Sequence, residues 1–198
     1  MSHKHIIAIA GNARSGKDTL AKNISSLLNG YGIKSSILSF ANELKRETDS
    51  FLKETLGISA FTEDDIEKSI IRPFLVFWGT DVRRQINPNI WVENLSVRML
   101  ENEVTIIPDL RFENELTFIR DKGGSIIYLS RIDENQELVP AANSYELENN
   151  KVIAAEADSQ FTWFSTNDES TIKSMSNEAL ETILTMEKFE KWKAISLS

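Results

Sequence analysis

Nine consecutive residues, Gly11, Asn12, Ala13, Arg14, Ser15, Gly16, Lys17, Asp18 and Thr19, have the types and spacing for one kind of chemistry. A glycine at each end of the turn lets backbone N–H groups curl around phosphate, and the lysine that follows reaches β and γ oxygens of a nucleoside triphosphate. The apolar run at 6–10 precedes the turn, and Leu20, Ile24, Leu27 and Leu28 follow it at helical spacing. Such a loop needs that strand-before and helix-after context. Asp18 stands where these loops usually place serine or threonine. The usual hydroxyl holds Mg²⁺, and a carboxylate is also a hard oxygen donor. Asp18 is thus a candidate metal ligand, directly or through water. Two other roles stay open for it: pairing with an arginine, or favouring the helix N-terminus electrostatically. Thr19 keeps a hydroxyl, about 100° further round the helix.

Composition narrows the alternatives. There is no cysteine, and the two histidines are His3 and His5, read as solvated tail residues entering the first strand. Thiolate metal sites, cysteine nucleophiles, a Ser-His-Asp triad and multi-histidine centres are therefore not expected. The net charge of −8 argues against nucleic-acid binding through a basic face. All nine arginines lie between Arg14 and Arg131, whereas from Ile132 to Thr185 eleven acidic residues face only Lys151 and Lys173. Anion handling belongs to the first two-thirds of the chain. No stretch approaches the ~20 apolar residues of a membrane span, and the N-terminal apolar run is too short for a secretory signal. The expectation is a cytoplasmic protein with no nucleic-acid or membrane partner.

Around the loop, the apolar pattern predicts strands at 5–10, 35–40, 103–108, 125–130 and 160–165. Helices are predicted after Gly16, at 42–57, after an N-cap at Thr62, at 72–86 opening on Arg72-Pro73, at 89–100, at 113–122 and at 169–192. Strands alternating with helices imply an α/β fold, a three-layer parallel sheet with helices on both faces. Residues 131–158 are polar and acidic without a clear period, as expected of a long functional loop.

A phosphate loop identifies nucleotide binding, not a reaction. A GTPase would carry Asn-Lys-x-Asp, and the Asn150-Lys151 segment lacks the aspartate; a motor ATPase would end a strand in Asp-Glu, and Asp109 is followed by Leu110. The arginine set suits a second, phosphorylated substrate. In three places the sequence resembles the bacteriophage deoxynucleoside monophosphate kinases, P-loop nucleoside monophosphate kinases: SFANELK at 39–45, RPFLVFWGTDVRRQINPNIWVENL at 72–95 and IIPDLRFENEL at 106–116. The GKDT ending of the phosphate loop is similar too. The likeness spans about 6–131 and fades beyond, apart from an echo in NSYELE at 143–148.

The resemblance implies an adenylate-kinase-like fold: one P-loop kinase domain with a substrate-binding helical insertion at about 42–102 and a lid at about 131–158. It implies transfer of the ATP γ-phosphoryl group, with Mg²⁺, to a deoxynucleoside 5′-monophosphate. Lys17, Arg84, Arg111 and Arg131 would be catalytic, and residues 11–19 would bind the cofactor. Phe40, Lys45, Arg72, Trp78, Arg84, Trp91 and Arg111 would bind the acceptor, and Asp18 and Asp109 the metal. Bland roles stand beside these: Arg72 as a loop end, Asp109–Arg111 as a structural ion pair, and Phe74, Phe77, Trp78 and Trp91 as core packing. The predicted lid holds no arginine beyond Arg131 at its hinge, so Arg131, with Arg120 as a second candidate, must supply any lid charge. Partners would be small-molecule nucleotides, with a homodimer allowed. The alternatives are a kinase for another metabolite, of dephospho-coenzyme A type, and a non-catalytic nucleotide-sensing module.

Overall fold

The computed structural model describes residues 5–100, 103–166 and 168–196; His3 lies outside them. The chain divides into two compact units, one formed by Met1–Leu38 and Met99–Ser198, the other by Ser39–Arg98.

The first unit is built on five parallel strands: β1 (His5–Ala10), β2 (Ser35–Ile37), β3 (Val104–Ile107), β4 (Ser125–Ile132) and β5 (Ser159–Phe164). Their order is β2-β3-β1-β4-β5. The central strand β1 is buried along all six residues, so a nearly continuous apolar run is what its place requires. On one face, Leu20, Ile24 and Leu28 of α1 (Lys17–Gly30) and Ala179, Leu180 and Ile183 of α8 (Glu169–Leu184) pack with Ile7, Ile9 and Trp163. Each large apolar side chain among them contributes about 1.5–3 kcal/mol by leaving water. Helices α6 (Glu113–Asp121) and α7 (Ser144–Glu156) also pack on the sheet, burying Ile119 and Ile153 completely. The result is an α/β three-layer fold.

Three expectations from the sequence change here. The long 131–158 loop contains the end of β4 and the thirteen residues of α7. Helix α7 buries only Asn150 and Ile153, so it carries no apolar stripe that periodicity could detect. The predicted C-terminal helix is two, α8 and α9 (Glu187–Ser196), broken at Thr185. His5 is not a solvated tail residue. It is 2% exposed, with its ring edge-on to Phe189 at 5.1 Å and tilted against Trp192 at 5.9 Å. Burial, and next the charge of Lys188, hold its pKa down at about 4.

The second unit is helical: α2 (Phe40–Leu56), α3 (Asp65–Val76), a π-helical segment (Phe77–Arg83), α4 (Arg84–Ile86) and α5 (Ile90–Arg98). Ser39 caps α2, and Gly57 at φ 70° ends it. Asp64, not Thr62, caps α3 by accepting from the amides of Ile66 and Glu67. Pro73 lies inside α3 rather than opening a helix; the proline forgoes one backbone bond there. Gly79 lies buried within the π segment. Leu44 Cδ2 lies 2.8 Å from where a Cβ on Gly79 would stand, so a side chain there would require the end of Leu44 to shift. Glu43, 4% exposed, is held between Arg46 and Arg98, and Leu52, Ala60 and Ile71 form the apolar centre.

Candidate active site

The loops after β1 and β3 and the end of β4 lie together at the carboxyl ends of the parallel strands. There β1 is flanked by β3 on one side and β4 on the other, the reversal of strand order at which open α/β sheets hold ligands. The phosphate loop leaves β1 at Gly11, whose φ is 141°. A Cβ at Gly11 would stand 2.1 Å from the Leu129 carbonyl oxygen, so only glycine lets β4 approach this closely. Arg14 turns the loop with φ 65°, and Gly16, at φ 96°, starts α1 against the Trp163 ring. A non-glycine left-handed residue costs about 1–2 kcal/mol and persists only where its surroundings hold it.

Lys17 is 8% exposed. Its ammonium donates to the carbonyls of Gly11 at 2.9 Å and Asn12 at 2.7 Å. Burial and then the charge of Arg111 push its pKa down to about 8, while Glu146, Asp18 and Asp109 oppose the shift. A cavity of about 350 Å³ beside it is lined by Arg14, Gly16, Lys17, Asp18, Thr19 and Arg131. Three cations around one carboxylate suit a polyphosphate. Arg131 is fixed there by two bonds, from Nε to Ser165 Oγ (2.8 Å) and from Nη1 to the Arg14 carbonyl (3.1 Å). It stands on β4, in the sheet.

Asp109 and Arg111 follow β3. Glu115, 1% exposed, accepts from the amides of Arg111 (2.9 Å) and Phe112 (3.1 Å) and so shapes the turn that presents Arg111. Glu115 is absent from the residues singled out by sequence, although a glutamate three residues into a helix is a capping signal. Among the described residues, no group of three or more His, Asp or Glu side chains could hold a metal alone. Asp18, exposed on the cavity wall, fits a magnesium shared with nucleotide phosphates, since Mg²⁺ commonly takes one or two carboxylates and fills the rest with phosphate and water.

The remaining expected acceptor residues, Phe40, Lys45, Arg72, Trp78, Arg84 and Trp91, all belong to the helical unit. Arg72 is exposed on α3 and Arg84 half-buried on α4. Phe40 and Trp91 are each 3% exposed, and the Trp91 indole donates to the Gly79 carbonyl at 3.2 Å. Both side chains are thus largely withdrawn from solvent. Trp78 donates to Glu47 at 2.8 Å and stacks on Phe74; Glu47 also holds Arg83. Lys45 lies over the Phe61 ring.

The family model for phosphomevalonate kinase matches residues 9–125, from the end of β1 to the start of β4. The chain belongs to the phosphomevalonate kinase family. It is a P-loop kinase, a phosphotransferase of small metabolites. The solved structure of shikimate kinase from Bacteroides thetaiotaomicron shares the fold, with TM-score 0.53 and 16% identity over 90% of this chain and 98% of that one. Shikimate kinase from Acinetobacter baumannii in complex with shikimate matches with TM-score 0.47 and 13% identity over 91% and 93%. APS kinase from Mycobacterium tuberculosis, in complex with AMPPNP and APS, matches with TM-score 0.43 and 13% identity over 93% and 100%. No curated protein sequence matches the chain. Among the described residues, no helix is long and apolar enough to cross a membrane.

Proposed function

We propose that this kinase transfers the γ-phosphoryl group of ATP to the phosphate of a deoxynucleoside 5′-monophosphate, giving the diphosphate and ADP. The observation that carries the donor side is the cationic cavity at the phosphate loop, where Lys17, Arg14 and Arg131 surround one space. Lys17 binds β and γ oxygens and offsets charge that develops as the phosphoryl group moves. Electrostatic stabilisation of this kind usually contributes most of the rate enhancement in phosphoryl transfer. Arg131, fixed at two points, serves the same charge without a conformational search. Magnesium, held by Asp18 with Asp109 nearby, would supply charge neutralisation on the phosphates. On the acceptor side the reading rests on the sequence resemblance, which gives Arg72, Arg84 and Arg111 to the monophosphate; guanidinium groups match a phosphate dianion with two parallel donors.

The family match favours a second acceptor, phosphomevalonate, which is also a phosphomonoester. One experiment separates the two. ADP release is followed with ATP, Mg²⁺ and a panel of deoxy- and ribonucleoside monophosphates, phosphomevalonate, and hydroxyl acceptors including dephospho-coenzyme A. Acceptor-dependent release with deoxynucleotides is expected. Release with phosphomevalonate alone moves the assignment to the second acceptor. Release only with hydroxyl acceptors, or with none, overturns phosphate-to-phosphate transfer.

A further inference from the structure

Residues 143–148 echo the kinase pattern, yet nothing in the proposed chemistry uses them. They open α7, and the side chain of Asn143 caps it by accepting from the Glu146 amide at 2.9 Å. Glu146 then reaches across to the phosphate loop. Its Oε1 accepts from the Ala13 amide at 3.1 Å, while Oε2 accepts from the Ala142 amide at 2.6 Å. One turn later Asn150, 4% exposed, donates to Asn12 Oδ1 at 2.7 Å. Asn12 Nδ2 donates to the Val139 carbonyl at 2.8 Å, so its side chain is committed at both ends.

We infer that Glu146 is a positioning residue for the phosphate loop, fixing the Ala13 peptide so that the loop stands ready for ATP, with Asn150 as its second anchor. The inference rests on the ATP-kinase reading. Between Gly11 and Gly16 the loop takes a left-handed turn at Arg14, and its own internal support includes the 3.2 Å bond from the Ser15 amide to the Asn12 carbonyl. A short loop in that conformation has many alternatives, and any order it lacks before binding must be supplied from the binding energy. Bonds from the 139–150 segment remove those alternatives beforehand. The carboxylate also helps keep Lys17 protonated against the burial that favours its neutral form. Repulsion between Glu146 and nucleotide phosphate is the opposing effect, and it makes the sign of the outcome decisive.

The test uses the full chain with Glu146→Ala, Glu146→Gln and Asn150→Ala. Two quantities are read: affinity for a non-hydrolysable ATP analogue, and amide hydrogen exchange across residues 11–16 in the free protein. Loss of a charge-assisted bond predicts about tenfold or more weaker binding for Glu146→Ala, a matching rise in KM for ATP, and a smaller change in kcat. Loop exchange should accelerate while exchange in β1 and β4 stays as in wild type. Glutamine keeps an acceptor for one of the two amides, so it should recover part of both effects and serves if the alanine variant folds poorly. Tighter analogue binding by Glu146→Ala would show that the carboxylate competes with phosphate, and unchanged loop exchange would show that it positions nothing; either overturns the inference. A wild type that binds no ATP analogue overturns the kinase reading instead, and the exchange comparison still decides the role of Glu146.

Discussion

Lys17 carries its charge in a place that resists it. With a pKa of about 8 in the folded chain, it deprotonates within an experimentally easy range. Phosphate oxygens would raise that value once bound, so the free enzyme and the nucleotide complex should differ. The expected profile is a fall in kcat/KM for ATP above about pH 8, while kcat holds to higher pH. A kcat/KM flat through pH 9.5 would remove Lys17 from ATP recognition. The same shift has a sign for stability. The unfolded lysine binds its proton up to 10.5, so stability contributed at this residue rises between pH 8 and 10.5, and Lys17→Met should lose that rise. Asp18 is tested by metal demand. Asp18→Ala should raise the Mg²⁺ needed for half-maximal rate several-fold, and Asp18→Thr should restore part of it. An unchanged titration would leave Asp18 as a favourable charge at a helix N-terminus.

At the scale of elements, the phosphate loop is shaped as much by β4 as by its own glycines. Gly11 and Gly32 both have positive φ, at 141° and 75°. A Cβ at Gly32 would meet nothing within 4 Å, whereas at Gly11 it would drive into the Leu129 carbonyl. Gly32→Ala should therefore cost only the backbone strain, about 1–2 kcal/mol. Gly11→Ala adds overpacking and should cost about 2–5 kcal/mol in chemical denaturation. Equal costs for the two would mean that β4 does not constrain the loop. Helix α7 is the element that apolar periodicity could not reveal, since its buried side is Asn150 and Ile153. Its start was legible in another way: Asn143 followed by Glu146 is an N-cap pattern. The π segment at Phe77–Arg83 was less accessible. Its sequence suits an ordinary helix, and the wider turn goes with packing between Gly79 and the Leu44 and Trp91 side chains.

For the molecule as a whole, the ends of the chain's first unit are tied together through a buried imidazole. His5 begins β1 and packs on Phe189 and Trp192 of α9, with Ser125 Oγ 3.3 Å from Nε2. Its folded pKa of about 4 lies below the ordinary histidine value of 6.5. The neutral ring's contribution is thus complete above pH 6.5 and is lost as pH falls toward 4. The loss amounts to about 3 kcal/mol. Thermal unfolding at pH 7 and pH 4.5 should show it, and His5→Phe should shrink the difference. An equal pH response in that variant would place the acid sensitivity among the carboxylates.

What the sequence determined alone was everything carried by short-range spacing. The Gly11–Lys17 interval, the apolar runs and the alternation of strand and helix are local patterns, and they sufficed for a nucleotide-binding phosphate loop on a parallel sheet; the kinase reading came from the arginine set and from the resemblance at 39–45, 72–95 and 106–116. Tertiary structure decided which distant residues gather around Lys17. Because β4 lies directly beside β1, the Leu129 carbonyl crowds Gly11 and Arg131 reaches the Arg14 carbonyl. Because α7 packs on both strands, Glu146 and Asn150 meet the loop. A parallel strand order is set by crossover connections and by burial summed over the whole sheet, and neither is written in any short stretch of sequence.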